Sequence, residues 1–263
     1  MLEDSWVAHP RGRIFVRTFL PSRASVMARP IVLLHDSLGS VDLWRGFPAA
    51  LAEGTGRRVI AYDRLGFGRS DARYEQLSCE FVADEADTYF PVIREQLGLE
   101  RFVLFGHSVG GGMALHCAAR FGNACDALIT ESAQAFVEER TITGIRAAKE
   151  QFEQEDQFAR LEKYHGDKAR WVLNAWTETW LSPEFANWSL ETVLPRVKCP
   201  LLVMHGMQDE FGSPRHPKMI ASRVSCAAHM ELMPDTHHMP HRERQVRVVE
   251  VVASFLNRLS FKP

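Results

Sequence analysis

Residue types that together can break an acyl bond occur at three places in this 263-residue chain. The first is "FVLFGHSVGG", where four apolar or aromatic residues run into Gly106-His107-Ser108-Val109-Gly110 and then into an Ala-rich stretch of helical character. A Gly-x-Ser-x-Gly string recurs by accident in chains of this length, so its neighbours decide its meaning. A strand pattern precedes Ser108 and a helix pattern follows it. In that setting a sharp turn exposes the serine hydroxyl, and Gly106 and Gly110 are the small flanking residues that such a turn requires. The plainer reading makes Ser108 a helix N-cap.

A serine nucleophile also needs a base, a carboxylate to orient the base, and donors for the oxyanion. "ELMPDTHHMPHRE" offers His237, His238 and His241 as bases. Read as metal ligands, these three lack a separate carboxylate or cysteine at convincing spacing, so no metal is expected. "PLLVMHGMQDEFGSP" places Asp209 just beyond a strand expected to lie beside the nucleophile strand, with Glu210 adjacent and Glu131 at the end of the preceding strand as competing acids. A solvated turn is the alternative for Asp209.

Positioning these groups requires a scaffold. Short, nearly all-apolar runs recur in "PIVLLHDSLGS", "RVIAYDRLGFG", "FVLFGHSVGG", "ALITESA", "PLLVMHG" and "MELMPDTHH", most followed by a helical pattern. Strands buried on both faces read this way, so the expected class is α/β, a mostly parallel sheet with helices on both sides. "GRIFVRTFLPS" alternates more and reads as an edge hairpin strand; "RERQVRVVEVVASFLNRLS" reads as an amphipathic terminal helix. From Glu131 to Arg196 the strand signal stops and the text turns helical and aromatic. The expected division is a core over residues 1–131, an inserted helical cap over 132–195, and core again over 196–263. Trp171, Trp176, Trp180 and Trp188 fall in the cap, with Phe136, Phe152, Phe158 and Phe185 nearby. Trp176 and Trp180 are spaced to share a helix face, and with Trp171 they are candidates to roof a substrate pocket above Ser108. Gluing the cap to the core is the other use of such residues.

The order Ser108, Asp209, His238 is that of the α/β-hydrolase superfamily, which the chain resembles over roughly residues 10–130 and 195–260. "PDTHHMPHRE" is similar to that family's "PGAGHxxHxE" loop, an alignment that puts His238 at the catalytic position. "LLHDSLGSVDLW" is similar to its "HGxxGSxxxW" loop, and "YDRLGFGRSD" to its "DxxGxGxSD" turn. The resemblance implies oxyanion donors at the N–H groups of Ser37 and Val109. It also implies a serine hydrolase acting through an acyl-enzyme on an apolar carboxylic ester, lactone or thioester. A carbon–carbon bond hydrolase of the same fold and a ligand-sensing protein without turnover are the alternatives. Asp36 stands where the family's loop has a glycine; its carboxylate is expected to point away from the oxyanion and cap a turn.

Composition agrees with a small-molecule substrate. With 31 Lys+Arg against 33 Asp+Glu and a formal charge of -2, no electrostatic argument favours nucleic acid or an anionic membrane. The five cysteines are scattered and lack a C-x-x-C pair, and neither a signal-peptide core nor an 18-residue apolar run occurs. A cytoplasmic protein without cofactors is expected, its partner a small molecule or another copy of itself.

Overall fold

The computed structural model describes residues 1–23 and 28–259; residues 24–27, within the first expected core segment, and 260–263, at the end of the second, lie outside the described residues. Eight strands form one sheet: β1 Leu2–His9, β2 Gly12–Phe19, β3 Ile31–Leu34, β4 Val59–Tyr62, β5 Phe102–His107, β6 Cys125–Glu131, β7 Leu201–Gly206 and β8 Ala228–Met233, in the order β1-β2-β4-β3-β5-β6-β7-β8. β1–β2 and β2–β4 pair antiparallel and all other neighbours are parallel. The apolar runs of β3 to β7 are buried on both faces, whereas β8, expected to be like them, lies at the sheet edge and buries only Met233. Alternation along the buried strands splits the core in two. Val32 and Leu34 join one apolar cluster, Ile31 and Leu33 the other.

Helices cover both faces. In chain order they are α1 Phe47–Thr55, α2 Phe81–Asp84, α3 Phe90–Gln96, α4 Val109–Arg120, α5 Glu139–Gln151, α6 Glu155–His165, α7 Ala169–Trp180, α8 Arg215–Arg223, α9 Pro240–Glu243 and α10 Gln245–Asn257. The last follows the amphipathic pattern, burying Val248, Val251, Val252, Phe255 and Leu256 against the cluster that also holds Phe47 and Leu51 of α1. Among the described residues no helix is long and apolar enough to cross a membrane.

Two expectations need correction. The hairpin strand β2 is not at the edge, because β1 pairs with it along its whole length and takes the outer place. β1 has no strand signal of its own because only Val7 is buried, so its sequence carries no alternation. The strand leading to Asp209, β7, does not adjoin β5, the strand leading to Ser108; β6 lies between them.

Between β6 and β7 the chain forms α5, α6 and α7, with a single isolated bridge, Phe136 to Ser189, among the described residues of the segment. Polar contacts tie this helical segment to the turn after β4 and to the loop after β3. His165 Nδ1 accepts the Gly68 N–H at 2.9 Å, and its Nε2 donates to Leu38 O at 3.0 Å. Lys168 Nζ donates to the carbonyls of Gly68, at 2.6 Å, and Ser70.

Candidate active site

Ser108 occupies the turn between β5 and α4 with φ 55° and ψ −126°, a backbone state that a non-glycine residue holds only at a cost of about 1–3 kcal/mol. The turn is tight enough to need both glycines. A Cβ on Gly106 would lie 2.6 Å from Gly111 Cα, and one on Gly110 would meet Leu34 O and lie 2.6 Å from His35 O. The Ser108 N–H donates to Glu131 O at 2.9 Å, and Ser108 O accepts the Gly111 N–H at 2.9 Å, anchoring the turn to β6 and to its own helix. The Ser108 side chain makes no cap bond to α4, so its hydroxyl is left for other partners.

One of those partners is His238 Nε2, 3.0 Å from Ser108 Oγ. His238 Nδ1 lies 2.9 Å from both oxygens of the buried Asp209, which fixes the neutral ring with its proton on Nδ1 and its Nε2 lone pair toward the serine. Asp209 is held in turn by the N–H groups of Phe211 and Gly212, at 2.8 and 3.0 Å. Burial opposes charge on both groups, but each favours the ionised partner. The Asp209 carboxyl is therefore held down to about 2, while the His238 imidazole is raised above its ordinary value.

The competing groups of the same loops go elsewhere. Glu210 accepts the His238 backbone N–H at 3.2 Å, His237 pairs with Glu243 at 3.1 Å on the surface, and His241 Nδ1 lies 2.5 Å from Glu131 Oε2. Glu131 Oε2 is also 3.1 Å from His107 Nδ1, making a buried cluster behind Ser108. Burial disfavours the Glu131 charge, yet the two imidazoles hold the carboxyl down to about 2. Among the described residues, His107, Glu131 and His241 are the group whose ligand atoms lie close enough for a metal ion, all within 4.8 Å. Glu131 Oε2 already accepts the His241 hydrogen bond.

Ser37, in the loop after β3, lines the same cavity as Ser108, and Val109 follows Ser108 directly as the first residue of α4. Asp36 lines the same cavity. Its Oδ2 lies 3.9 Å from His107 Nε2, and its backbone carbonyl, rather than its side chain, closes a turn by accepting the Gly39 N–H at 3.2 Å. Gly39 has no room for a side chain there, since a Cβ would meet Asp36 Oδ1 and lie 2.7 Å from His35 Cβ.

Ser108 and His238 open into a cavity of about 220 Å³ walled by Ile145, Phe152, Trp176, Trp180, Phe211 and Met239. The structure brings Trp176 and Trp180 to this wall but not Trp171. That side chain packs edge-on against Phe67 at 5.5 Å and against Gly66, where a Cβ would lie 2.5 Å from Trp171 Cζ3. Its indole N–H donates to Glu75 O at 3.1 Å, so this tryptophan joins the helical segment to the core. Trp188 stacks on Phe185 at 5.2 Å and meets Trp180 edge-on at 5.6 Å.

The cavity also contains Gln134, which nothing in the sequence singled out. Its Oε1 position is 3.2 Å from Ser108 Oγ. A hydroxyl has one proton, and with it on the His238 side the contact is better met by the amide NH₂ turned toward Oγ. Gln134 follows β6 by three residues, with no spacing signal to mark it.

A sequence profile described as "alpha/beta hydrolase fold" matches residues 29–159. A proline iminopeptidase of Lactobacillus delbrueckii subsp. lactis is 38% identical over 86 residues, 33% of this chain and 29% of the peptidase, so the chain matches less than a third of that relative's length. A proline iminopeptidase structure from Mycobacterium smegmatis superimposes with a TM-score of 0.72 at 23% identity over 97% of this chain and 98% of that one. The enol-lactonase of Burkholderia xenovorans does so at 0.73 and 19%, covering 97% and 100%. At such identities the likeness is one of fold. With the strand order, the turn at Ser108 and the matching profile, the chain belongs to the α/β-hydrolase superfamily.

Proposed function

We propose that the protein is a serine hydrolase that cleaves small to medium apolar carboxylic esters, or related lactones and thioesters, through an acyl-enzyme. The observation that carries this reading is the unbroken contact series Ser108 Oγ to His238 Nε2 and His238 Nδ1 to Asp209 at the floor of an apolar cavity. Ser108 Oγ attacks the acyl carbon while its proton passes to His238 Nε2. Asp209 stabilises the resulting imidazolium, and the N–H groups of Ser37 and Val109 receive the charge on the carbonyl oxygen. His238 then protonates the leaving group, and water, deprotonated by the same ring, releases the acid.

Size and lining support the substrate class. A volume of about 220 Å³ falls below the roughly 300–1,000 Å³ of pockets for drug-sized ligands. Walls of Ile145, Phe152, Trp176 and Trp180 favour an uncharged acyl chain. In this reading α5, α6 and α7 form the cap, and Asp209 and His238 come from the core segment that follows it. The names of relatives, two peptidases and a lactonase, share carbonyl hydrolysis. All five cysteines are free thiols, which suits the cytoplasmic setting that belongs to the proposal.

The test is covalent labelling by a fluorophosphonate, with turnover of aryl esters of increasing chain length. Labelling of Ser108, its loss in Ser108→Ala, and a fall in ester turnover of about 10⁴-fold or more are expected. Ring-cleavage dienoates turned over faster than every ester would move the assignment to carbon–carbon hydrolysis. Labelling without steady-state turnover would favour a sensor.

A further inference from the structure

One of the two oxyanion donors proposed above, the Ser37 N–H, belongs to a peptide unit that the fold treats unusually. A peptide group is planar, and its carbonyl and N–H point in opposite directions, so whatever holds the Asp36 oxygen also sets the aim of the Ser37 N–H. Three donors converge on that oxygen. They are His35 Nδ1 at 2.8 Å, Arg64 Nη2 at 2.8 Å and the Gly39 N–H at 3.2 Å.

The two side chains are locked in place. His35 Nε2 accepts the Arg64 backbone N–H at 3.1 Å, which leaves the single proton of the neutral ring on Nδ1, facing the Asp36 oxygen. Burial, then the Arg64 charge, holds this imidazole well below its ordinary pKa, so it stays neutral. The Arg64 guanidinium is buried, lies 4.1 Å over the Phe67 ring, and shares a small cavity with Ser37, Trp176 and Trp180. Its Nε has no acceptor among the described residues. The buried carboxylate that compensates its charge, Glu85, is occupied by the Tyr62 hydroxyl at 2.7 Å. A cation is therefore spent on a single backbone carbonyl beside the nucleophile.

We infer that Arg64 and His35 are positioning residues for the oxyanion hole, aiming the Asp36–Ser37 peptide and polarising it so that the Ser37 N–H is a stronger donor to the developing charge. The inference rests on the serine-hydrolase reading. Hydrogen bonds to a carbonyl draw electron density from its own nitrogen, and bonds in such a chain strengthen one another by about 10–30% each. The charge-assisted bond from Arg64 is the stronger of the two side-chain contributions. The arrangement also bears on Asp36, whose carboxylate brings negative charge to this loop. Arg64 sets a positive charge against it.

The test compares a ligand that forms the oxyanion with one that does not. An apolar trifluoromethyl ketone accepts Ser108 Oγ at its carbonyl carbon: the new C–O bond forms, the carbonyl π pair moves to oxygen, and the serine proton goes to His238. The matching trifluoromethyl alcohol cannot form this adduct. Arg64→Met is expected to lower kcat and weaken the ketone in parallel by about tenfold to a hundredfold, less than the ~10²–10³ for deleting a donor outright. KM and the alcohol's Ki should stay within about twofold, and Arg64→Lys should recover part of the loss. His35→Ala removes the other side-chain donor without touching a buried charge, and gives the same comparison should Arg64→Met fail to fold. A merely structural role predicts a lower Tm, with ketone and alcohol affected alike, and that result would overturn the inference. Absence of Ser108 labelling in the wild type would remove the serine-hydrolase reading and the inference with it; labelling with unchanged ketone affinity in the variants would remove the inference alone.

Discussion

Gly110→Ala isolates how closely α4 must approach the loop after β3. The new methyl would lie 2.6 Å from His35 O and closer still to Leu34 O, where an ordinary contact begins at 3.4 Å. Both neighbours are backbone, so neither can swing aside, and the first turn of α4 must retreat by about 0.8 Å or more. Forcing an extra methyl into a packed site costs typically about 1–3 kcal/mol. For a chain of this size that lowers Tm by roughly 2–4 °C per kcal/mol. The retreat also moves Ser108 and the Val109 N–H away from Ser37. A displacement of about 1 Å at reacting groups costs on the order of 10²-fold, so kcat should fall by about tenfold to a hundredfold while KM changes little. The assay is steady-state turnover of a short aryl ester beside thermal unfolding. Gly122→Ala is the control, since its Cβ would meet nothing closer than 3.9 Å and should leave both readings unchanged. A Gly110→Ala enzyme with wild-type kcat and Tm would refute the argument that this approach sets the geometry.

Because His238 must be unprotonated to accept the serine proton and its pKa is raised by Asp209, kcat/KM should fall on acidification, starting above the ordinary histidine value of 6.5. Asp209→Asn should move that limb to lower pH and cost up to about 10⁴ in kcat, which a pH–rate profile of each protein would show. The Asp209 carboxyl, held at about 2 against 3.8 unpaired, contributes stability that is fully present above pH 3.8 and lost as pH falls through 2. Urea midpoints of wild type and Asp209→Asn should therefore converge over that window. His238→Ala should match the Ser108→Ala loss, whereas His237→Ala, on a side chain paired with Glu243 at the surface, should retain most turnover. Trp176→Ala should raise KM more for long-chain than for acetyl esters, by up to about 0.8 kcal/mol per CH₂ no longer buried. Trp171→Ala should lower Tm and affect every chain length alike, since it seats the helical segment on Phe67 and Gly66.

The parts of the site that could be read from sequence are those with local causes. The turn at Ser108 shows in the sequence because the apolar run, the two glycines and the following helix pattern all lie in one stretch, although Leu34, His35 and Glu131 complete its packing. The strands buried on both faces are legible for the same reason, each needing an unbroken apolar run whichever neighbours it acquires. β1 was not, because its residues are mostly solvent-facing and its place comes from pairing with β2.

What the sequence by itself determined, then, was the succession of buried strands, the helical segment between β6 and β7, the turn at Ser108 and the short set of acids and bases that could serve it. Choosing among them took the tertiary structure. Asp209, Glu210 and Glu131 are all carboxylates near strand ends, and only the placing of β6 between β5 and β7 sends Glu131 to His107 and His241 and leaves Asp209 to His238. Trp171 and Trp176 sit five residues apart on α7, yet one faces Phe67 and the other the cavity. Gln134 and Arg64 carry no motif value for this chemistry; they matter because the ends of β6 and β4 converge on Ser108 and the Asp36 carbonyl. Contacts between residues tens of positions apart depend on how the sheet twists and the helices dock, and no single stretch of sequence encodes that closure.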